Sequence, residues 1–548
     1  MRTQLRVLSL ATACVLAATM LSGCGPSQSV AGKKAKDPAA EARLANMNKE
    51  GFPIVKQPIT LKFMVGRNSA QSDWASILTW PTYEKKTNIH IDWDAVLSDN
   101  LAEKRNLVLA SGQNLPDAFF RCSFSTPDVQ KYGADGTFLK INDYLDYMPN
   151  FKQVLDKYDD IRRGLPSVDG SIYSLPGLTD CPEIELNPKI YLNKKFMDNV
   201  GATMPKSLDD LYNTLKLMLD KDANKDGKAD EVPLTSNSWK TLRNALMGAY
   251  GLMNRGSTHQ NIDIDPKTNN LRFIPTAPEF RQLVEYMHKL YSEKLIDNEI
   301  FTIKSSNVTA KVEADLVGGI VHTNTTLAGN KHVDDFTGIT EALQGPNGDK
   351  LWTGIRGHMS TKGSFSITKT NQYPEATARW MDYWFSDEGA RLYYMGVEGE
   401  SYYVTSDGKY EFIPEKVKVP EGSTYDQTVA KFTPYAGGGN PALALSKYFK
   451  GAELLPIPQK CAQDLSKFTP KEVWGFFNYT DEETNRMSSI EADMFSGFYD
   501  TAIPNFISGQ TPLNDQTWAD YVAKFDKMGL AEYMKIYKSG YDRYKSIK

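Results

Sequence analysis

The sequence predicts an α/β protein with more than one domain, because strand-like and helix-like segments alternate along a long chain. Residues 59–66 (ITLKFMVG) form an apolar run, residues 89–96 (IHIDWDAV) alternate in polarity, and residues 116–122 (PDAFFRC) form a third short strand. Amphipathic segments at 72–88 and 101–112 separate these strands. This order is typical of a parallel sheet with crossover helices. The 548 residues exceed what one core ordinarily holds, so at least two domains are expected.

Later segments continue the alternation. Residues 205–219 (PKSLDDLYNTLKLML) predict a helix with Ser207 as its N-cap and acidic residues in its first turn. Residues 315–324 (DLVGGIVHTN) predict a buried strand, and residues 364–399 predict a strand, a turn and a long helix. Near the C-terminus, a stripe at helical spacing predicts helix packing; it consists of Trp518, Tyr521, Val522, Phe525 and Met528.

The first residues predict export and a lipid anchor. Two arginines precede an apolar stretch at 8–20 (LSLATACVLAATM), which is too short to span a bilayer comfortably. LSGC at 21–24 resembles the bacterial lipobox, which implies that residues 1–23 are a signal peptide and that Cys24 is lipidated. A plain secretory signal cut near small residues is the alternative. Residues 24–54 are rich in Gly, Ser, Ala and Lys and predict a flexible tether.

Composition excludes several classes of protein. Apolar residues make up 41% of the chain and charged residues 24%, which suits a soluble globular protein. The net charge is -4 and no dense basic patch occurs, so no nucleic-acid partner is expected. Cys122, Cys181 and Cys461 are odd in number and widely spaced, which fits neither a disulfide framework nor a zinc site. The spacing leaves open whether two of them pair.

Several motifs in a fixed order carry a family resemblance. They are the lipobox, IDWDAVLSDNLAEKRNLVLASGQNLPDAFF, DGSIYSLPG, YLNKKFMDNVGATMPKSLDDLYNTLK, DANKDGKADEVPL, ITEALQGPNGDKLW, WMDYWFSDEGARLYYMGVEG and FISGQTPLNDQTWADYVAKFDKMGLAEYMKIYKSGYDRY. Through this order, which covers nearly all of residues 55–546, the chain resembles the family 1 extracellular solute-binding proteins, the substrate-binding lipoproteins of bacterial ABC importers. It is most similar to the long members that bind oligosaccharides, including alginate-binding ones.

The resemblance implies a two-lobed, periplasmic-binding-protein-like α/β fold of type II, with the ligand cleft between the lobes. By that similarity, one lobe holds residues 55–182 and 336–396, and the other holds residues 183–335 and 397–548. It implies an oligosaccharide ligand that is captured by hinge closure. It also implies two membrane permease subunits and a cytoplasmic ATPase as partners. The protein would be a monomer, anchored through its lipid to the outer face of the bacterial cell membrane.

Residues 222–234 (DANKDGKADEVPL) begin as a calcium-binding EF-hand loop begins. Acidic and amide side chains alternate and Gly227 allows a sharp bend, but Pro233 stands where the closing Glu is expected. Such oxygen donors suit calcium rather than soft metals. The resemblance implies the ligands Asp222, Asn224, Asp226, Lys228 through its carbonyl, Asp230 and Glu231. We expect a structural calcium ion; a regulatory sensor and a solvated loop without metal are the alternatives.

A sugar cleft needs aromatic platforms and planar polar side chains, and ligands of parallel sheets bind at the carboxyl ends of the strands. Those ends include residues 67–74 and 121–128. The candidate ligand-binding residues follow strands, lie near the expected lobe crossings or follow the calcium loop: Asn68, Asp73, Trp74, Arg121, Ser123, Glu183, Glu185, Trp239, His322, Asn324, Trp352 and His358. A helix cap or core packing is the alternative role for each.

Two other function classes compete with a binding lipoprotein. One is a lipid-anchored carbohydrate-active enzyme, a glycosidase or lyase acting on similar sugars; the other is a structural surface adhesin. The sequence contains no HExxH, GxSxG, P-loop or GxGxxG motif. We therefore expect no catalytic activity, and a product formed from an oligosaccharide would favour the enzyme.

Overall fold

The computed structural model describes residues 38–71, 73–421, 423–436 and 438–548. The expected signal peptide and lipidation site at Cys24 lie outside these residues. By its contacts the chain divides after Ala45, and Asn46–Lys548 form the main body. The end of the expected tether belongs to this body, because a β-bridge joins Met47 to Val55 and both side chains are buried.

The strands are numbered in chain order. They are β1 (Ile59–Arg67), β2 (Ile89–Leu97), β3 (Ala118–Phe124), β4 (Leu175–Asp180), β5 (Lys189–Asn193), β6 (Thr235–Ser236), β7 (Ile262–Ile264), β8 (Leu271–Phe273), β9 (Gly319–His322), β10 (Phe336–Gly338), β11 (Met359–Ile367), β12 (Tyr402–Val404), β13 (Tyr410–Phe412) and β14 (Leu443–Leu445).

The strands form a large sheet, a small sheet and two hairpins. The large sheet has the order β14-β4-β11-β3-β1-β2, and the small sheet has the order β10-β5-β9-β6. In the large sheet, β1 runs parallel to both β2 and β3, which confirms the predicted parallel unit. In the small sheet, β6 runs parallel to β9, and β5 runs antiparallel to β9 and β10. The hairpins are β7/β8 and β12/β13.

Helices cover both sheets. The α-helices are α1 (Pro38–Asn46), α2 (Thr79–Thr87), α3 (Ser98–Ser111), α4 (Thr126–Ala134), α5 (Pro149–Lys157), α6 (Asp159–Gly164), α7 (Pro182–Glu185), α8 (Lys194–Val200), α9 (Leu208–Asp220), α10 (Trp239–Leu246), α11 (Pro278–Ser292), α12 (Ser305–Glu313), α13 (Gly329–His332), α14 (Pro374–Asp382), α15 (Asp387–Met395), α16 (Pro414–Val417), α17 (Tyr425–Val429), α18 (Pro456–Leu465), α19 (Asp481–Glu491), α20 (Asp500–Ser508), α21 (Asp515–Lys527) and α22 (Leu530–Ser546). Short 3₁₀ turns and one π-helix complete the chain: Ile141–Tyr147, Met247–Tyr250, Ile274–Thr276, Thr326–Ala328, Val333–Asp335, Tyr383–Phe385, Ala452–Leu454, Ser466–Phe468 and the π-helix Ala492–Tyr499.

Local sequence signals explain where several helices begin and end. The side chain of Ser207 accepts a hydrogen bond from the backbone N–H of Asp210 at 3.0 Å, which confirms the predicted N-cap of α9. Helix α2 is shorter than predicted, because Pro81 has no N–H to donate and is tolerated only in a first turn. The long helix predicted up to residue 399 is two helices, since Ser386 caps a new one at α15.

The C-terminal stripe is confirmed as packing. The side chains of Trp518, Tyr521 and Phe525 are buried, and Val522 and Met528 pack against the same core. None of the helices in the described residues is both long enough and apolar enough to cross a membrane.

Three buried clusters make up two cores of the main body, because two of the clusters lie on opposite faces of the large sheet. The core of the large sheet takes its residues from Met47–Leu178 and Met359–Tyr448. The core of the small sheet takes its residues from Leu186–Trp352 and Cys461–Tyr544. Each sheet therefore has its own apolar interior, built from two separate stretches of the chain.

The residue ranges of these cores differ from the lobe boundaries that the resemblance implied. Residues 336–396 were expected in the lobe of the large sheet, but β10 pairs with β5 of the small sheet. Residues 397–548 were expected in the other lobe, but β14 pairs with β4 of the large sheet. The difference arises because the chain returns to the small sheet only after β14, at a point that has no distinctive composition.

Three crossing segments join the sheets: residues 181–188, 353–358 and 446–455. The first two run antiparallel and exchange backbone hydrogen bonds. Asn187 donates its N–H to the carbonyl of Gly354 at 2.7 Å, and Arg356 donates to the carbonyl of Glu185 at 3.1 Å. The first two crossing segments therefore form a hydrogen-bonded strip between the two cores.

Candidate functional site

The large-sheet edge, where β1 and β3 end, carries a cavity. Its volume is about 380 Å³, and its lining includes Gly66, Ser98, Arg105, Arg121 and Ser123. Parallel strands that end side by side leave polar backbone and side-chain groups at one edge of a sheet, where ligands commonly bind. The cavity lies where the strand order of the sequence predicted a binding region.

Arg121 ties a distant loop to this edge. Its guanidinium donates hydrogen bonds to the carbonyls of Pro434 at 2.8 Å, Ala436 at 2.6 Å and Gly438 at 2.8 Å. It also donates to the side-chain oxygen of Gln71 at 3.2 Å. Burial lowers the pKa of Arg121, and no carboxylate forms an ion pair with it among the described residues. Its donors are thus committed to the protein, and it shapes the wall of the cavity.

The other candidates at this edge differ in how far their side chains are exposed to solvent: Asn68 is half-buried, whereas Asp73 and Ser123 are exposed. Asn68 uses its side-chain oxygen to accept the N–H of Ala70 at 2.9 Å. Ser123 has a φ of +49°, an uncommon backbone conformation for a residue other than glycine. Such conformations persist where the surrounding structure holds the backbone in place, and they are frequent at ligand-binding sites.

Trp74 lies beneath the edge rather than on it. Only 2% of its surface is exposed, and its ring packs 5.4 Å from the ring of Trp80 and 5.7 Å from that of Trp93. The guanidinium of Arg121 covers it at 5.2 Å from the ring centroid. In this conformation the ring supports Arg121 and has no open face for a ligand.

The small-sheet edge, where the parallel strands β6 and β9 end, brings together three candidates. Trp239 begins α10 directly after Ser238, whose side chain caps that helix. His322 and Asn324 follow β9, and a ring nitrogen of His322 lies 3.2 Å from the carbonyl oxygen of Asn324. Burial lowers the pKa of His322, which favours the neutral ring. Trp239 itself is 7% exposed in the small-sheet core, and the guanidinium of Arg243 lies 5.6 Å from its ring.

The crossing segments contribute buried acidic groups. A carboxylate oxygen of Glu183 accepts hydrogen bonds from the hydroxyl of Ser446 at 2.9 Å and from the thiol of Cys181 at 3.3 Å. A carboxylate oxygen of Glu185 accepts the N–H of Cys181 at 3.1 Å. Burial raises the pKa of Glu185 to about 7. These contacts tie the first crossing segment to the third.

Two further contacts connect the crossing segments to the small-sheet edge and to α6. The side-chain amide of Asn324 donates to Glu453 at 3.1 Å, which joins the small-sheet edge to the third crossing segment. His358, in the second crossing segment, has a ring nitrogen 3.0 Å from a carboxylate oxygen of Asp160. Sequence reasoning missed Glu453 and Asp160, because nothing near them in the chain marks them as partners. Trp352 lies apart from this group, 2% exposed in the small-sheet core.

The predicted calcium loop folds around its own polar side chains. Asp222 accepts the N–H groups of Asp226 at 3.1 Å and of Gly227 at 3.0 Å, and Asn224 accepts the N–H of Asp226 at 2.9 Å. Gly227 has a φ of +84°, which the predicted sharp bend requires. The ammonium group of Lys228 donates a hydrogen bond to a carboxylate oxygen of Asp226 at 3.0 Å.

The loop offers partial support for a metal ion. Glu231 is 6% exposed, and its carboxylate oxygen Oε2 is buried without a hydrogen-bond partner. A buried, unsatisfied carboxylate oxygen beside other oxygen donors fits a hard cation such as calcium. In the part of the chain that the structure describes, however, no three His, Cys, Asp or Glu side chains are gathered closely enough to hold a metal.

The three cysteines of the main body are separate, buried thiols. Cys122, Cys181 and Cys461 form no disulfide. Burial raises the pKa of Cys122 and of Cys461 to about 12, and it also raises that of Cys181. They are therefore protonated near neutral pH.

Comparison with known proteins relates this arrangement to a family. The family model for the bacterial extracellular solute-binding protein matches residues 68–391. Over 515 residues the chain is 27% identical to the fructooligosaccharide ABC transporter substrate-binding protein FusA of Streptococcus pneumoniae serotype 4, which covers 91% of this chain and 92% of that protein. Over 407 residues it is 25% identical to lipoprotein LipO of Bacillus subtilis (strain 168), which covers 71% and 72%.

A solved structure has a similar fold. The structure of the S. pneumoniae FusA EF-hand mutant in complex with fructo-nystose matches with a TM-score of 0.68 and 24% identity, over 89% of this chain and 100% of that chain. The match confirms the predicted two-lobed α/β fold.

Proposed function

The chain belongs to the bacterial extracellular solute-binding protein family, and from this premise we propose that it captures an oligosaccharide for an ABC importer. The observation that carries the proposal is the pairing of two separately cored sheets, each with polar side chains at its strand ends, through three crossing segments. A sugar that contacts both edges favours the state in which they approach. FusA, which is named as the substrate-binding protein of a fructooligosaccharide ABC transporter, is similar to this protein over most of the chain.

We propose lobes that follow the two cores rather than the limits expected from the resemblance. The first lobe would hold residues 46–180 and 359–445, and the second would hold residues 189–352 and 456–548. The crossing segments would be the hinge. The strip of backbone hydrogen bonds between the first two segments keeps the lobes in register while the third bends with them.

Within this cleft the candidates fall into three groups. Asn68, Asp73 and Ser123 would present polar groups from the large-sheet edge, and His322 and Asn324 would present theirs from the small-sheet edge. Glu183, Glu185 and His358 would line the hinge. The remaining candidates, Arg121, Trp74, Trp239 and Trp352, would act through packing, because the three rings lie in the cores and the donors of Arg121 are taken by backbone carbonyls.

Calcium and the lipid anchor complete the proposal. The loop at 222–231 would hold a structural calcium ion through the six ligands named above, and the buried Glu231 carboxylate would close the shell. Calcium would fasten the loop to the small-sheet lobe. The lipid on Cys24 would hold a monomer at the outer face of the membrane, near two permease subunits and their ATPase; similarity to a protein named as a lipoprotein supports this. Membrane release of a Cys24→Ala variant tests the anchor.

A binding screen tests the function. The soluble main body is titrated calorimetrically, with calcium present, against fructooligosaccharides, alginate oligosaccharides and galacturonate oligosaccharides. We expect one sugar class to bind at one site per chain, with no new product by chromatography. His322→Ala should weaken binding without changing the unfolding curve, whereas His90→Ala, an exposed change on β2, should leave both unchanged. Turnover of a bound sugar would instead support the enzyme.

A further inference from the structure

Lys362 is a buried lysine between the two cores. It lies on β11 beside Gly363, which pairs with Phe124 at the end of β3, so it stands at the large-sheet edge. Its exposure is 6%, and its ammonium group donates a hydrogen bond to the side-chain oxygen of Asn478. Asn478 follows Phe477, a member of the small-sheet core. The contact therefore joins a strand of one lobe to a segment of the other.

Neighbouring hydrogen bonds hold the same segment against the first lobe. The side-chain amide of Asn478 donates to the carbonyl of Arg163 at 3.3 Å. The side-chain amide of Gln130, on α4, donates to the carbonyl of Tyr479 at 2.7 Å. Gln130 and Arg163 lie on α4 and α6, which contribute to the large-sheet core, whereas Asn478 and Tyr479 adjoin Phe477 of the small-sheet core. Parting of the lobes would therefore break these bonds together and admit water to Lys362.

No charge compensates Lys362 in this position. The charged side chains of the helices near the segment have the following partners. Arg543 of α22 donates to the carbonyl of Asn478 at 3.0 Å and pairs with Glu483, while Asp128 bonds with Ser125, Asp160 with His358 and Arg163 with Asp159. Among the described residues no carboxylate lies in ion-pair contact with Lys362. Burial alone lowers the pKa of Lys362 to about 7.

We propose that Lys362 is a positioning residue whose seating against Asn478 couples closure of the lobes to release of one proton. The proposal rests on the proposed capture of a sugar by closure. In the open state the ammonium group is hydrated and charged. When the segment carrying Asn478 closes over it, the group loses its water and its proton passes to solvent, leaving a neutral amine that keeps the hydrogen bond to Asn478.

The direction of the effect follows from linkage. A hydrated lysine has a pKa of about 10.4 and stays protonated in the open state across the range of interest. The closed state binds fewer protons above about pH 7, so closure becomes more favourable as the pH rises. Sugar affinity should therefore increase between pH 7 and pH 9, by up to about tenfold per pH unit. Below pH 7 both states are protonated and the affinity should be flat.

The experiment measures sugar affinity from pH 6 to pH 9 in four forms of the main body. The wild type should show the rise. Lys362→Met should remove it, because no proton is left to release. Asn478→Asp should also remove it, because the new carboxylate keeps the ammonium charged in the closed state while preserving the contact. Lys369→Met, an exposed lysine just past the end of β11, should keep the wild-type slope.

Two results would overturn the proposal: a flat wild-type profile, or a slope that survives in Lys362→Met and in Asn478→Asp. Small-angle scattering of the sugar-free protein provides an independent reading, since rising pH should compact the wild type and leave Lys362→Met unchanged. If no sugar binds but this compaction occurs, the proposed ligand is wrong and the proton coupling stands. If a sugar binds without pH dependence or compaction, the function stands and the coupling fails.

Discussion

Replacement of Arg121 by alanine should destabilise the lobe of the large sheet. The guanidinium is the shared donor for the carbonyls of Pro434, Ala436 and Gly438, which are more than 300 positions away in the chain. Alanine removes all of these bonds and uncovers the ring of Trp74. The carbonyl of Pro434 would keep a hydrogen bond from the side-chain amide of Gln71 at 2.7 Å, whereas the carbonyls of Ala436 and Gly438 would lose their guanidinium donor.

The magnitude follows from the number and type of bonds lost. A hydrogen bond to a charged group contributes about 1.5–3 kcal/mol, and bonds that share one donor group add incompletely, so we expect a loss of about 3–5 kcal/mol. For a lobe of this size, that corresponds to a fall in Tm on the order of 10 °C. The Tm of Arg121→Lys should lie between those of the wild type and Arg121→Ala, because lysine keeps the charge but lacks the planar set of donors.

Differential scanning calorimetry of the main body provides the measurement, with hydrogen exchange of residues 434–438 as a local readout. Arg486→Ala is the matched control, because Arg486 pairs with Glu532 at an exposed position where water screens the charges. The reasoning would be refuted if Arg121→Ala melted together with the control and its loop exchanged no faster than in the wild type.

Three further predictions concern the calcium loop, the hinge and the cavity. A chelator should lower the Tm of the wild type but leave Asp222→Ala unmoved, and identical wild-type curves would contradict a structural calcium ion. The neutral form of buried Glu185 stabilises the fold below pH 4.5, and this contribution is lost as the pH rises through about 7. The free energy of unfolding of Glu185→Gln, measured with urea, should therefore exceed that of the wild type by about 3 kcal/mol at pH 8 but by little at pH 4. The same difference at both pH values would contradict this prediction. Gly66→Ala should destabilise the large-sheet edge, because its new Cβ would lie 2.5 Å from the carbonyl oxygen of Arg121, whereas Gly497→Ala meets nothing closer than 3.4 Å; equal melting of the two variants would contradict it.

Local patterns predicted the local structure well. Apolar runs and alternating polarity predict the strands β1, β2 and β3, and the helices between these strands predict their parallel pairing. Ser207 is recognisable as a cap because the residues that it serves are its immediate neighbours. The C-terminal stripe is recognisable for the same reason, since helical spacing alone places its side chains on one face.

Contacts between distant parts of the chain were beyond such patterns. Arg121 follows a strand, which suggests a ligand contact, but its partners lie in a loop that no local signal links to it. Trp74 reads as an exposed platform from its position, yet the rings that enclose it come from two other elements. The same limit applies to Glu453, whose meeting with Asn324 depends on the third crossing segment.

The path of the chain between the two sheets also constrains the order of folding. The large sheet is incomplete until Leu443–Leu445 pairs with β4, and the small-sheet core recruits residues as late as Tyr544. A nascent chain that ends before β14 would thus have neither interior finished, whichever lobe is considered. Completion of the small-sheet core therefore needs residues as late as Tyr544, which follow the strand that completes the large sheet by about a hundred positions.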